Sequence, residues 1–273
     1  MCEKEYKDRE WLKEQFEKYK TPNAVAQATG YPRTCITRYA TKYNLYTVKF
    51  NRTKTNPINE KYFSNIDTPD KAYFLGFIMA DGNMYLSNKN KYQFSVKIKN
   101  TDIDILYKFA DAIDFPKEKI IIKEEYRNNT VTKCAELKSY NQEFCSYLVD
   151  LGVVPRKTGK EKMPNLKEDL VKDFIRGYID GDGWISESNV EIGVCSSSYG
   201  IIDNIQKYIH EKLDIDLTVH DNSQVYTVRT SKRKYVYQIL KHFYYKSCTA
   251  LDRKQKLAMT KKQEIIEDLI GSL

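Results

Sequence analysis

The sequence has little of what builds metal fingers or disulfide frameworks. Its six cysteines (Cys2, Cys35, Cys134, Cys145, Cys195 and Cys248) are scattered without a CxxC pair, and its three histidines (His210, His220, His242) form no ligand spacing. Zinc and a cystine scaffold are both disfavoured. No stretch reaches the run of about 18 apolar residues that spans a bilayer, and no secretory leader is legible, so a soluble intracellular protein without membrane attachment is expected. Acidic residues are missing from 21–59, which holds Arg33, Arg38, Lys42, Lys49, Arg52 and Lys54.

What is present is charge and tyrosine. The 273 residues include 45 Lys and Arg against 37 Asp and Glu, a formal net charge of +8 with 41% hydrophobic content and 22 Tyr. That balance supports a packed core and favours polyanionic partners.

Three short helical patterns open the chain. Trp11, Leu12, Phe16 and Tyr19 recur at helical spacing, Thr21-Pro22 starts a second helix that Gly30 stops, and Pro32 opens a third with Ile36, Tyr39 and Ala40 inside. Residues 1–45 therefore read as a helix-turn-helix-like helical domain. Arg33, Thr34, Thr37 and Arg38 would face out from a recognition helix onto DNA. Residues 46–66 read as a basic linker whose Lys49, Arg52 and Lys54 join those candidate contacts.

The remainder repeats itself. From 67 to 165 the pattern is helix, strand, strand, helix, strand, strand, helix, and 166–273 follows the same order with a further C-terminal helix. That helix, Leu251–Leu269, is expected to carry Lys254, Lys256, Lys261 and Lys262 outside. Val190, Ile192 and Val194 match Phe94, Val96 and Ile98, which sets Lys97 opposite Gly193 and Lys99 opposite Cys195. The fold class is α+β: two pseudo-symmetric α-β-β-α-β-β-α repeats whose antiparallel sheets form a saddle for DNA. Outward strand residues are candidate base contacts: Gln93, Ser95 and Lys97 in one half, Gln224 and Thr227 in the other.

Each repeat opens on a glycine-bracketed helix, Phe74-Leu-Gly-Phe-Ile-Met-Ala-Asp-Gly82 and Phe174-Ile-Arg-Gly-Tyr-Ile-Asp-Gly-Asp-Gly183. Superposed, Gly76 falls on Gly177 and Asp81 on Asp182. Thr68-Pro69-Asp70 caps the first. A carboxylate at a helix C-terminus is disfavoured by ~0.3–1 kcal/mol, and here it occurs twice in one register. Small residues four apart (Gly76 and Ala80, Gly177 and Gly181) leave stripes on which the helices can close, bringing Asp81 and Asp182 together. Two carboxylates and two sets of C-terminal carbonyls facing each other call for a hard cation.

Both stretches resemble the LAGLIDADG motif of homing endonucleases, and the resemblance to the double-motif members covers about 70–263. It implies a monomeric, site-specific endonuclease that makes a metal-dependent double-strand cut, with short 3′ overhangs, in a long non-palindromic duplex site. Mg²⁺ would be held by Asp81 and Asp182 with the carbonyls of Ala80 and Gly181 assisting. Lys99, Lys138 and Arg229, at strand ends, are the implied supporting catalytic residues. The lysine-rich tract after Gly152, with Met163-Pro164, is similar to that of bacterial and phage members, so a cytoplasmic or other intracellular DNA-containing compartment is expected. Met79, Asp180 and Arg176 depart from the motif without touching the metal positions. The alternatives are an RNA-splicing maturase with intron RNA as partner, and a non-cleaving DNA-binding regulator. An intein is disfavoured because the chain ends Gly-Ser-Leu rather than in His-Asn before a nucleophile.

Overall fold

The computed structural model describes residues 5–45, 57–127 and 130–271. Contacts divide the chain into two compact units, Met1–Lys54 and Thr55–Leu273. In the first, a single turn over Glu5–Lys7 precedes α1 (Arg9–Tyr19), α2 (Pro22–Thr29) and α3 (Arg33–Lys42). Asp8 caps α1 by accepting from Trp11 N, and Thr21 caps α2 by accepting from Ala24 N. Gly30, at φ 71°, ends α2 in the left-handed region where a side chain would be strained. Leu12, Phe16, Val25, Ile36 and Ala40 form the small core.

The second unit contains two copies of one topology. The first runs α4 (Pro69–Asp81), β1 (Gly82–Leu86), β2 (Tyr92–Lys99), α5 (Ile103–Ala112), β3 (Ile121–Arg127), β4 (Thr130–Ser139) and α6 (Gln142–Asp150). The second runs α7 (Glu168–Asp182), β5 (Gly183–Ile185), β6 (Ile192–Ser196), α8 (Tyr199–Leu213), β7 (Val219–Asp221), β8 (Tyr226–Thr230) and α9 (Arg233–Phe243), followed by α10 (Asp252–Gly271). Their antiparallel sheets have matching orders, β1-β2-β4-β3 and β5-β6-β8-β7. Phe94, Val96, Ala135 and Leu137 turn inward from the first sheet, Ile192, Val194 and Val228 from the second. The expected α+β duplication is what the chain forms. No helix among the described residues is long and apolar enough to cross a membrane.

The register between the halves differs from the pattern match. Gly82 pairs with Val96 and Gly183 with Val194, so Val194 corresponds to Val96 and not to Ile98. Lys97 therefore stands opposite Cys195 and Ser95 opposite Gly193. A slip of two residues leaves every side chain on its face, so alternation alone could not detect it. The shorter β5–β6 turn absorbs the difference.

Segments that follow the last helix of each repeat cross to the other repeat. After α9, Thr249 Oγ1 donates to Asp70, Lys108 Nζ donates to Ala250 O, and Arg253 Nε donates to Asp102 at 2.9 and 3.1 Å. After α6, the backbone O of Glu161 accepts from Ser198 Oγ at 2.6 Å. Lys254 and Lys157 lie on these segments.

Candidate metal centre at the ends of two packed helices

The motif helices α4 and α7 pack through their glycines. A Cβ on Gly76 would stand 1.9 Å from Phe174 O, and one on Gly177 would stand 2.0 Å from Tyr73 O. The two contacts mirror each other. A Cβ on Gly181 would meet that of Ala80 at 2.4 Å, so the contact stays close to the helix ends. Neither terminal glycine is left-handed: φ is −73° at Gly82 and −100° at Gly183. Glycine is needed there for space, because a Cβ would lie 2.4 Å from Ile78 O or 2.7 Å from Ile179 O.

This packing brings Asp81 and Asp182 to one place. The Asp81 carboxylate has neither a hydrogen bond nor an ion pair among the described residues, and its Oδ2 lies 3.4 Å from where a Gly181 Cβ would stand. Burial, then the charge of Asp182, pushes its pKa up to about 6, with Lys254 and Lys157 opposing the rise. Asp182 is also raised, mainly by burial, and is eased most by Lys157.

Pattern reading gave those two lysines no place beside the aspartates. Lys254 Nζ donates to Ile179 O at 2.6 Å, Asp180 O at 2.9 Å and Gly183 O at 2.7 Å, closing the end of α7. Lys157 Nζ donates to Met79 O at 2.6 Å and Ala80 O at 2.9 Å, closing α4. Each ammonium sits at the negative pole of a helix, where cations are favoured. Burial holds Lys254 down to about 8, and lowers Lys157 as well. Lys254 and Lys261 are buried, against the expectation that α10 turns them outward. Lys261 Nζ instead reaches Glu187 O at 2.9 Å, whereas Lys256 is exposed as expected. Both lysines oppose the rise at both carboxylates, each from a segment that follows the last helix of a repeat.

The motif departures have structural work. Asp180 is buried and accepts from Tyr73 Oη, Tyr244 Oη and Leu251 N, all at 2.7 Å. It thereby fixes the chain just before Lys254. Arg176, wholly buried, donates to Asp173, Thr249 O and Phe243 O in the same region. Met79 in the first repeat instead packs near Gly152.

Asp81 opens onto a cleft of about 820 Å³ shared with Lys97, Lys99, Glu125 and Arg253. Lys99 is exposed there with no carboxylate partner among the described residues. Lys138 lies 3.2 Å from Glu136, and Arg229, largely exposed, lies 3.6 Å from Glu191. Gln93 is half-buried on β2. Ser95 and Thr227 share the outward faces but are buried, so their neighbours cover them. Gln224 lies in the β7–β8 turn at φ 83°, not on a strand. In the N-terminal unit Arg33, Thr34 and Arg38 are exposed on α3 and Thr37 is half-buried. Lys49, Arg52 and Lys54 lie outside the described residues.

Among the described residues no group of three or more His, Cys, Asp or Glu is arranged to hold a metal ion. Ala80 O, one of the carbonyls expected to assist, already accepts from Lys157. The donors that remain are the Gly181 carbonyl, which neither lysine engages, and the carboxylates of Asp81 and Asp182, oxygen ligands of raised proton affinity. They fit a hard divalent cation that completes its shell with water and phosphate oxygens, as Mg²⁺ does in phosphate-handling sites.

The chain is similar to several known proteins. An uncharacterised protein of Methanocaldococcus jannaschii is 23% identical over 177 residues, covering 63% of this chain and 59% of its own. The curated relatives that match are spanned over only 59%, 21% and 13% of their lengths. Among solved structures, a mesophilic variant of the homing endonuclease I-DmoI aligns with 16% identity and a TM-score of 0.48, over 74% of this chain and 99% of its own. Full-length DUF199/WhiA from Thermatoga maritima aligns with 11% identity and a TM-score of 0.43, over 81% and 73%. Residues 169–244, from α7 to just past α9, match the family model of the LAGLIDADG-like domain, so the second repeat carries a LAGLIDADG-like domain and the first repeats its motif helix.

Proposed function

We propose that the chain is a site-specific endonuclease that hydrolyses duplex DNA with a divalent ion held by Asp81 and Asp182. The observation that carries the reading is the pair of carboxylates at two packed helix ends, one end closed by the buried Lys254 and the other by the half-buried Lys157. A bound Mg²⁺ would lower the pKa of a water and shield the charge of the phosphate. The protein's own residues do the rest. Lys157 and Lys254 neutralise the helix carbonyls, so that a phosphate can approach what would otherwise be a wholly negative centre. Both lysines offset the charge of both aspartates, and one strand is cut near each aspartate. Lys99, free in the cleft beside Asp81, is placed to meet a phosphate. Lys138 and Arg229 are carboxylate-paired and serve the sheet faces. Because the two repeats differ in their outward residues, one chain reads a non-palindromic site without a second copy, and short 3′ overhangs are the expected product.

The N-terminal unit adds a second contact region through Arg33, Thr34 and Arg38. Replacing both arginines by alanine should flatten the dependence of log K on log salt by about two units if each meets a phosphate.

A non-cleaving DNA-binding regulator is the second reading, favoured by the engagement of Ala80 O with Lys157 and by the two-carboxylate ligand set. Selection of cut duplexes from a randomised library separates the two. The endonuclease gives enriched cut sites with Mg²⁺ and none with EDTA; the regulator gives bound, uncut duplexes in both.

A further inference from the structure

The outward face of the first sheet carries a ladder of alternating charges beside the Asp81 cleft. Lys97 Nζ lies 3.0 Å from Glu125 Oε1, and Lys123 Nζ lies 3.6 Å from the same oxygen. Lys123 also reaches Glu136 Oε2 at 3.2 Å, and Lys138 reaches Glu136 Oε1 at 3.2 Å. Since β4 lies between β2 and β3, Lys97 extends across β4 to meet Glu125. Glu136, at 7% exposure, sits beneath this arrangement. The Lys97 ammonium holds the Glu125 carboxyl below its ordinary range, and Glu136 raises Lys123. The second sheet has no counterpart: the positions matching Lys97, Glu136 and Lys138 are Cys195, Thr227 and Arg229.

A ladder of this kind treats phosphates and bases differently. Phosphate oxygens only accept hydrogen bonds. A lysine that leaves its carboxylate for a phosphate strands Glu125 or Glu136 against a polyanion with no donor to replace it. A base-pair edge in the major groove supplies both partners, since guanine O6 and N7 accept while cytosine N4 and adenine N6 donate. We infer that Glu125 and Glu136 are specificity-determining residues, which suppress docking of arbitrary duplex on the first sheet and admit base edges that present amino donors. The inference rests on the duplex-DNA reading above. Discrimination arises here from a repulsive element as much as from an attractive one.

The test is binding of a fluorescent random-sequence duplex across a salt series, in EDTA so that no strand is cut. It compares the full chain with its Glu125→Gln and Glu136→Gln variants. Each variant should bind the random duplex about tenfold more tightly, with the slope of log K on log salt steeper by about one unit per lysine released to phosphate. Adding Lys97→Met to Glu125→Gln should remove that gain. Glu125 is half-buried at the surface, so its variant reports even if Glu136→Gln folds poorly. Random-duplex affinity and slope equal to wild type in the Glu125→Gln variant would overturn the ladder's role while leaving duplex binding intact. Absence of salt-dependent duplex binding in wild type and variants alike would overturn the duplex-DNA reading, and this inference with it.

Discussion

The two repeats build the same helix end with different means. In the first, Lys157 comes from an irregular connector, closes two carbonyls of α4, and has Glu161 3.8 Å away as its ion partner. In the second, Lys254 comes from the first turns of α10, closes three carbonyls around the end of α7, and is held in place by the buried Asp180 that stands where the first repeat has Met79. What both copies keep is a cation at a helix C-terminus beside an aspartate. How that cation is delivered is free to vary, and the delivery is where the halves diverge.

The helix pair is the shared part, so its perturbation should be largest and equal on both sides. Gly76→Ala and Gly177→Ala each force a methyl into a backbone carbonyl and should destabilise the protein by about 4 kcal/mol. Urea unfolding checks this, and a large inequality between the two would break the symmetry. Next comes the asymmetric hub. Asp180→Ala strands two buried tyrosine hydroxyls and Leu251 N and should lose about 3 kcal/mol, whereas Met79→Ala, which only opens a cavity, should lose about 2 kcal/mol. The lysines follow. Lys254→Met leaves three carbonyls without a donor and should lose about 2 kcal/mol, against about 1 kcal/mol for Lys157→Met.

One effect has the opposite sign. Asp81 is raised to about 6 in the folded, metal-free protein. Between its unfolded value near 4 and that folded value, the native state binds the extra proton, so metal-free stability falls as pH climbs through this window and stays low above it. Asp81→Asn should therefore gain about 2 kcal/mol at pH 7 and lose this pH dependence, as denaturation at several pH values in EDTA would show. Asp182→Asn should gain less, since Lys157 eases that carboxylate and Tyr178 lies beside it.

Much of this was legible before the structure. Gly76, Gly177 and Gly181 declare themselves by spacing, because only small residues let helices close to this distance, and the doubled Asp-Gly ending marks where the helices meet. The four antiparallel strands of each half follow from alternation and turn positions. Lys254 and Lys261 were not legible. A lysine in an amphipathic helix reads as solvated, and what buries these is a set of backbone carbonyls that belong to other elements and have no sequence signature. The burial of Ser95 and Thr227 was not legible for a related reason: alternation gives the face of a strand correctly but says nothing of how far neighbouring side chains cover that face. The register of β6 was lost because a slip of two preserves every inside and outside position.

The account stands on Asp81 and Asp182 acting as one metal-dependent centre for each strand. The most direct measurement is strand-resolved cleavage of a selected duplex in Mg²⁺ by wild type, Asp81→Asn and Asp182→Asn, with binding followed in parallel. Wild type should cut both strands, while each variant should retain duplex affinity and lose the double-strand cut. Full double-strand cleavage by either variant, or by wild type in EDTA, would contradict the account.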